Sequence, residues 1–267
     1  MSSKSVADVA NTEPEFKLVE HTCPNCGHQE MWVFYEVRDV PVHSCLMMPT
    51  RQEALDFPRG DVVLGYCENC GFITNTEFDS KWSAYAPNYE DQQSFSPTFN
   101  QFALDLANRL INKYNLRDKD VVEIGCSKGD FLVLMCELGN NRGVGIDPSA
   151  VVGRVQSPAT ERIRFIQDYY SEGYSEYVGD FICCRHTLEH IYPTAEFVGT
   201  VRRSIGNRPT SVFFEIPDMG RVLKDLAFED IYYEHCSYFT PGTLARLFRA
   251  SGFEVTDVYL AYGDQYL

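Results

Sequence analysis

Basic residues are scarce in this sequence. Its 23 lysines and arginines stand against 38 aspartates and glutamates, which gives a formal net charge of −15. A surface that binds the phosphate backbone of nucleic acid needs clustered lysine and arginine. The short basic runs, Arg202-Arg203 and Arg246 with Arg249, are typical of solvated helix faces instead. Nucleic acid is therefore not expected as a partner.

Long apolar runs are missing too. No stretch approaches the roughly 20 apolar residues that cross a bilayer, so no membrane partner is expected. Residues 1–15 have neither the basic start nor the apolar centre of a secretory signal, and we expect them to form a disordered polar tail. Ten cysteines without such a signal favour a reducing compartment, where disulfides are rare. We therefore expect a cytoplasmic protein.

The chain changes in composition along its length. Residues 16–80 contain short strand-like pieces between turns rich in proline, glycine and asparagine, and residues 81–97 form an aromatic connector. In residues 98–267, helices alternate with short β-rich runs, which predicts an α/β fold with a doubly wound, mostly parallel sheet. Its predicted strands, in chain order, are 121–125, 143–146, 163–166, 180–184, 211–216 and 253–260.

Four of the cysteines lie in two turns of the same form, CxxCG. Cys23 and Cys26 belong to the first turn, and Cys67 and Cys70 to the second. Zinc takes four ligands in a tetrahedron, and a pair of thiolates on a tight turn supplies two of them. One CxxC alone would be ambiguous with a redox pair, whereas two copies predict a four-thiolate zinc site. Four thiolates leave no open position on the metal, so the predicted zinc is structural.

A second motif, VVEIGCSKGDFL, occupies residues 121–132 and reads as a buried strand, a glycine-bounded turn and the start of a helix. In open parallel sheets, ligands bind beyond the carboxyl ends of the strands. The spacing E-x-G-x-S-x-G differs from the G-x-G-x-x-G of nicotinamide binders. Asp147 and Asp168 follow the next two predicted strands, and the two oxygens of one carboxylate suit two vicinal ribose hydroxyls.

The same segment leaves one alternative. GCSKG matches G-x-S-x-G, the nucleophile turn of α/β-hydrolases, which also lies between a strand and a helix. That fold needs an oxyanion loop upstream, where this sequence has its cysteine turns. It also gives no reason for an aspartate at position 147. The hydrolase interpretation is therefore the weaker one.

With these residues, the sequence resembles the class I methyltransferases that use S-adenosylmethionine, whose sheet is Rossmann-like. The resemblance implies that Glu123, Gly125 and Gly129 contact the methionine end of the cofactor, that Asp147 binds its ribose, and that Asp168 accepts from its adenine amino group. Arg185 begins the segment RHTLEHI, which is expected beside the sulfonium. The full set expected at the cofactor is Glu123, Gly125, Cys126, Gly129, Asp147, Asp168 and Arg185.

A narrower resemblance covers roughly residues 20–267. Paired cysteine turns, a tyrosine-rich connector, EIGC-x-x-G, LEHI and YEHxxYFT occur here in the same order as in the deoxysugar C-methyltransferases. Those enzymes methylate a carbon next to a ketone on a nucleotide-linked sugar. They usually carry HEH where this chain has YEH, and Asn-Asp where it has Ser127-Lys128. They also have a further C-terminal domain, so we expect the sequence to be a piece of a longer protein.

The resemblance implies roles for a second group of residues. His235 would be the general base that removes a proton next to the ketone, with Glu234 and Tyr232 supporting it. His190 and a connector tyrosine, Tyr89 before Tyr85, would bind the acceptor's oxygens or the enolate. A histidine suits this task because its pKa lies near neutral, and an adjacent carboxylate can orient and tune it.

Two other functions stay open at this point. One is methyl transfer to oxygen or nitrogen of a small metabolite, with His235 as base for a hydroxyl. The other is a non-catalytic zinc scaffold that retains a cofactor-binding fold and binds a partner protein. Acidic residues at three successive strand ends argue against the scaffold.

Overall fold

The computed structural model describes residues 16–82, 89–90, 93–151 and 153–267. The predicted tail, residues 1–15, and the connector residue Tyr85 lie outside the described residues. Among the helices of the described ranges, none combines the length and apolar character that crossing a membrane requires.

A five-stranded parallel sheet forms the larger part of the protein, and it confirms the predicted α/β fold. Neighbouring strands are paired in the order β7-β6-β5-β8-β9. From β5 the chain adds β6 and β7 on one side of the sheet, and then reverses direction across it to add β8 and β9 on the other side. The strands are β5 Asp120–Ile124, β6 Arg142–Ile146, β7 Ile163–Ile166, β8 Phe181–Arg185 and β9 Ser211–Glu215. The reversal opens a crevice at the carboxyl ends of β5, β6 and β8, where ligands bind in open α/β sheets.

Helices cover both faces of this sheet, because its strands present apolar side chains on both faces. Val121 of β5 belongs to a core cluster with residues of the second and third helices, while Val122 belongs to a cluster with residues of the fourth. The helices that follow the short α1 are α2 Pro97–Tyr114, α3 Asp130–Gly139, α4 Thr194–Ile205, α5 Met219–Asp225 and α6 Pro241–Ala250. Thr240 caps the N-terminus of α6, since its side chain accepts from the backbone N–H of Thr243.

A separate antiparallel sheet forms the N-terminal lobe. Its order is β1-β2-β3-β4-β10, with the short helix α1 (Arg51–Leu55) between β2 and β3. The strands are β1 Lys17–Glu20, β2 Glu30–Pro41, β3 Arg59–Tyr66, β4 Ile73–Asn75 and β10 Ser237–Tyr238. The lobe therefore takes its last strand from a segment that follows the parallel sheet in sequence.

The two parts also share a hydrophobic core. Cys67 and Phe72 of the lobe lie in one buried cluster with Leu188 and Leu247, and the ring centroids of Phe72 and Phe239 are 5.0 Å apart. This packing, together with β10, holds the lobe against the segments that follow β8 and β9.

The predicted strand at residues 253–260 is wrong, since that described segment contains no strand. A cleft of about 910 Å³ is lined both by residues of β9 and by residues 252–259. Further along the chain, the C-terminal residue bonds to the residue that follows β9. Leu267 exchanges two backbone hydrogen bonds with Ile216, at N···O distances of 2.7 and 3.1 Å.

Candidate active site

A cavity of about 370 Å³ lies at the carboxyl ends of the central strands and between the two parts of the chain. Gly125, Asp147 and His190 line it from the segments that follow β5, β6 and β8. Phe78 and Tyr89 line it from the N-terminal half. The larger cleft beside β9 holds none of the candidate residues. The cavity thus brings together residues from both predicted groups.

Two glycines shape the turn after β5. Gly125 has a φ of 70°, and a Cβ atom there would overlap the side chain of Thr187. Gly129 has a φ of 90°, and a Cβ atom would overlap the ring of Phe165. Both positions favour glycine in conformation and in space, which leaves backbone open for a ligand to approach. The glycine-bounded turn between strand and helix that the motif predicted is therefore present.

Asp147 is fixed at the rim of this turn. Its Oδ2 accepts from the backbone N–H of Ser127 at 2.8 Å, and its Oδ1 accepts from the N–H and Oγ of Ser149 at 2.6 and 2.7 Å. A carboxylate has about four acceptor positions, so these three bonds leave about one for a further donor.

The two buried charged residues of the expected cofactor set lie behind the cavity wall. Glu123 is 3% exposed, and burial raises its pKa to about 8, although the charge of Arg185 opposes the rise. Arg185 forms a buried ion pair with Glu215 at 2.6 Å and lies 4.1 Å from the ring centroid of Phe131. Neither residue is among those that line the cavity, and Arg185 serves to hold the end of β8 against β9.

Asp168 and Cys126 also lie off the cavity lining. Asp168 is exposed, and hydrogen bonds from the Tyr174 hydroxyl and the Tyr169 backbone hold the pKa of its carboxyl below the usual range. Its neighbours Tyr169 and Tyr170 do line the cavity. Cys126 is 5% exposed and packs inside the turn. Asp168 thus adjoins two cavity-lining tyrosines in sequence without lining the cavity itself.

The two predicted histidines lie side by side, with ring centroids 4.9 Å apart. His190 lines the cavity, and its Nδ1 donates to the backbone oxygen of Glu234 at 3.1 Å. His235 lies behind it, with Nδ1 donating to the backbone oxygen of Asp230 at 2.9 Å. Because carbonyl oxygens only accept, both bonds place the proton of the neutral ring on Nδ1.

Tyr232 completes the environment of His235. The tyrosine hydroxyl and Nε2 of His235 are 2.5 Å apart, and with the proton on Nδ1 the hydroxyl donates to Nε2. Burial, together with the neighbouring His190, holds the pKa of His235 well below its usual value, and burial holds that of Tyr232 well above its own. At neutral pH both groups are therefore uncharged. Neither is among the cavity-lining residues.

The expectation that Glu234 orients His235 directly is wrong, because side chains of adjacent residues in this turn point to different neighbours. The Oε1 atom of Glu234 is 2.8 Å from Nδ1 of His43, and Oε2 accepts from the N–H and Oγ of Ser44, both at 2.7 Å. Burial pushes the pKa of Glu234 upward, but these bonds outweigh it and hold the value at about 2. Sequence reasoning missed His43 and Ser44, which belong to no recognisable motif.

Tyr89 is buried and lines the cavity, as expected of a residue near the acceptor. It forms an antiparallel bridge with Leu46, and its ring centroid lies 6.2 Å from that of His43. The loop of residues 42–46 thus contacts both Tyr89 and Glu234. It therefore lies beside the part of the cavity wall that Tyr89 forms.

Glu189, His190 and His235 place potential ligand atoms within 4.8 Å of one another. Glu189 is 3% exposed, and burial raises its pKa to about 8. However, both ring nitrogens of His235 are engaged with Tyr232 and Asp230. A metal there would have to break one of these bonds, so the cluster fits proton chemistry better than metal binding.

The four cysteines of the paired turns converge at one point of the lobe. Sγ of Cys23 lies 3.7 Å from Sγ of Cys70, Sγ of Cys26 lies 3.6 Å from Sγ of Cys67, and all four lie within 4.8 Å. A Zn–S length of about 2.3 Å places the sulfurs of a tetrahedron about 3.8 Å apart. The donor set and its spacing therefore fit zinc.

Comparison with known proteins agrees with this geometry. The family described as "Methyltransferase domain" matches residues 96–258. A curated relative, "C-methyltransferase NovU" of Streptomyces niveus, is 28% identical over 254 residues. The match covers 90% of this chain and 57% of the relative, so the chain spans little more than half of that protein's length.

Two solved structures are similar at low sequence identity. The magnesium protoporphyrin IX methyltransferase ChlM of Synechocystis PCC 6803, with bound SAH, is 14% identical with a TM-score of 0.47, covering 63% of this chain and 80% of its own. The 1,6-didemethyltoxoflavin-N1-methyltransferase of Burkholderia thailandensis is 16% identical with a TM-score of 0.39, covering 58% and 69%. The family match spans more than half of the sequence and includes the glycine turn, Asp147 and both active-site histidines. The chain therefore belongs to the methyltransferase domain family.

Proposed function

We propose that this protein transfers the methyl group of S-adenosylmethionine to a carbon atom next to a ketone, on a small acceptor of the keto-sugar type. One observation supports the proposal most. A single cavity joins the glycine turn and Asp147 on one side with His190 and Tyr89 on the other. The similarity to a protein named C-methyltransferase, over 90% of this chain, favours carbon as the methylated atom.

The donor side of the cavity would hold the cofactor through the backbone of the Gly125 turn and the carboxylate of Asp147. The Tyr169–Tyr170 pair would contact its adenine, with Asp168 beside it as an acceptor for the amino group. When bound, S-adenosylmethionine supplies a methyl group that is already an activated electrophile. The chain's own residues must therefore position the reactants and generate a nucleophile.

The acceptor side would generate that nucleophile by a two-proton relay. His235 would be the base: the proton that leaves the carbon next to the ketone would pass to the Tyr232 oxygen while the proton of that hydroxyl passes to Nε2 of His235 across their existing hydrogen bond. Neither side chain lines the cavity, so the relay requires the bound acceptor to reach the Tyr232 hydroxyl beyond His190. The electron pair of the broken C–H bond would make this carbon the nucleophile for the methyl group that S-adenosylmethionine supplies when bound. The low pKa of His235 keeps Nε2 unprotonated in the resting protein, and the charge of Glu234 favours the imidazolium that forms.

Tyr89 would donate to the acceptor's oxygen while it carries enolate charge, and Nε2 of His190, which carries no proton in this tautomer, would accept from a hydroxyl of the acceptor. Both residues line the cavity, and the Nδ1 bond to Glu234 sets the orientation of the His190 ring. Hydrogen bonds to an oxygen that gains charge in the transition state are stronger there than in the ground state. Such bonds accelerate proton removal from carbon.

The remaining parts of the proposal follow from the lobe and the composition. Zinc held by Cys23, Cys26, Cys67 and Cys70 would be structural and would stabilise the lobe that covers the acceptor side. The acceptor would be a small molecule, with a nucleotide-linked keto-sugar as the first candidate, and neither nucleic acid nor a membrane is proposed as a partner. The reducing cytoplasm is the compartment that suits free thiolates.

Exchange of a substrate deuteron tests this proposal. A nucleotide-linked keto-deoxysugar labelled with deuterium next to its ketone is incubated with the protein, with and without the methyl donor. We expect deuterium to be lost to water even without donor, and His235→Gln to abolish this loss while S-adenosylhomocysteine binds nearly as before. His28→Gln, which alters a histidine of the lobe, is the matched control.

Three results would contradict the proposal in different ways. Exchange retained by His235→Gln but lost in His190→Gln would move the role of base to His190. Methyl transfer without exchange, with the product methylated on oxygen or nitrogen, would support the alternative subclass. Absence of both exchange and methyl transfer with this acceptor would exclude the keto-sugar.

A further inference from the structure

The acceptor side of the site includes a buried contact that crosses between the two parts of the chain. His43 and Ser44 bind both carboxylate oxygens of Glu234, although about 190 residues separate them in sequence. The side chains of His43 and Glu234 are only 5% and 1% exposed. A carboxylate buried to this degree is destabilising unless it is fully hydrogen-bonded. The contacts with His43 and Ser44 therefore stabilise the Glu234 carboxylate and fix the loop of residues 42–46 against it.

The contact favours the charged forms of both groups. The hydrogen bond with Glu234 is the largest influence on His43, and it raises the pKa of the imidazole against the effect of burial. The same bond helps to hold the pKa of Glu234 at about 2. Both shifts therefore favour a protonated His43 beside the Glu234 carboxylate.

Glu234 in turn controls the position of a cavity residue. Its backbone oxygen accepts the hydrogen bond from Nδ1 of His190, at 3.1 Å. On the other side of the turn, the N–H of Cys236 donates to the backbone oxygen of Glu189 at 3.0 Å. The segment of residues 234–236 is thus held between the lobe and the turn that carries His190. A shift of Glu234 would move the oxygen that orients the His190 ring.

His43 also contacts the second residue assigned to the acceptor. Its ring meets that of Tyr89 edge to face, with centroids 6.2 Å apart, and the ring of Phe57 at 6.0 Å. The bridge between Leu46 and Tyr89 continues the same loop. The side chain of His43 therefore contacts Glu234, whose backbone oxygen orients His190, and it also contacts Tyr89.

We propose that His43 is a positioning residue for methyl transfer, which holds Glu234 and Tyr89 so that His190 and Tyr89 present their polar atoms to the acceptor. The inference rests on the proposed function, because only there do His190 and Tyr89 bind the acceptor's oxygens. It assigns the zinc-binding lobe a direct part in the geometry of the reaction. His43 itself does not touch the reacting atoms.

The test compares His43→Ala with His43→Asn, since the asparagine amide can place an N–H donor where Nδ1 lies in histidine. Imidazole ¹⁵N NMR reports which nitrogen of His190 carries the proton, and this readout needs no acceptor. We expect His190 to be protonated on Nδ1 in the wild type and His43→Asn, and to become a mixture of tautomers in His43→Ala. His28→Ala serves as the control.

The kinetic arm uses exchange from the deuterated keto-deoxysugar. Misplacement of a positioning group by about 1 Å can cost about 100-fold in rate, so we expect His43→Ala to lose about 10- to 100-fold in kcat. The affinity for S-adenosylhomocysteine should stay within about twofold, and His43→Asn should recover most of the rate. Ser44→Ala, which removes one bond to Glu234 and keeps the backbone N–H, should show a smaller loss of the same kind.

Each outcome decides between explanations. A normal His190 tautomer in His43→Ala, or a rate loss that His43→Asn does not recover, would overturn the positioning role. If His43→Ala does not fold, the tautomer and rate of Ser44→Ala and His43→Asn decide alone. If His43→Ala alters the tautomer of His190 while the wild type shows no exchange with the ketone, the proposed acceptor is refuted. The link between His43 and His190 then remains.

Discussion

Replacing Glu234 with glutamine should lower the free energy of unfolding by about 3 kcal/mol at pH 6. The folded protein lowers the pKa of this carboxyl from 4.5 to about 2. Each pKa unit corresponds to about 1.4 kcal/mol of preference for the charged form, and the shift spans about 2.5 units. Glutamine has the shape of the neutral carboxyl, so it retains the packing and loses this preference. The carboxylate is 1% exposed, so solvent screening reduces the value little.

The pH dependence of the difference follows from the sign of the shift. Because the folded pKa is lowered, the stabilisation is present above the ordinary pKa of 4.5 and is lost as pH falls towards 2. We therefore expect a constant gap between wild type and Glu234→Gln at pH 5–6, and a shrinking gap below pH 5. Groups that are unchanged by the substitution titrate alike in both proteins and cancel in the difference.

Urea-induced unfolding, followed by the fluorescence of Trp32 and Trp82, provides the measurement. Glu36→Gln is the matched control, because Glu36 forms an exposed ion pair with Arg38, and such pairs contribute about 0–1 kcal/mol. A gap below about 1 kcal/mol for Glu234→Gln, or a gap that does not shrink in acid, would refute the role given to the contact with His43 and Ser44.

Three further predictions concern separate parts of the site. Tyr232→Phe should slow deuterium exchange by about 100-fold, because it removes the hydroxyl that reaches Nε2 of His235, and unchanged exchange would exclude the relay. Metal analysis should find one zinc per chain, and Cys67→Ser should lower both the zinc content and the urea midpoint; equal stability without metal would contradict a structural zinc. Asp147→Asn should weaken S-adenosylhomocysteine binding by about tenfold in calorimetry, since it loses charged acceptor positions, and equal affinity would remove Asp147 from the donor site.

The parallel sheet was predictable because its signals are local. β8 is buried at every position, and the sequence FICCR of this strand is apolar in four of five residues. Likewise, Gly125 could be assigned to a special turn from the motif alone, and its φ of 70° confirms the assignment. The paired CxxCG turns predicted convergence of four sulfurs for the same reason, since each turn fixes two of them.

Features that depend on distant parts of the chain were not predictable in this way. His43 has no neighbouring motif, and its function depends on Glu234, which is far away in sequence. β10 has only two residues, too few for any periodic pattern, and it exists because β4 offers its edge. Residues 253–260 have the composition of a strand but lack a partner, and a strand without a neighbour leaves its backbone groups unpaired.

Binding of S-adenosylhomocysteine, measured by calorimetry on the wild type, Gly125→Ala and Gly242→Ala, tests the central claim most directly. A methyl group at Gly125 would overlap Thr187 inside the turn after β5, whereas one at Gly242 meets nothing within 4 Å. We predict one ligand per chain for the wild type and Gly242→Ala, and binding weakened at least about tenfold for Gly125→Ala. No binding to the wild type at saturating ligand, or equal affinity in all three proteins, would contradict a donor site at this turn.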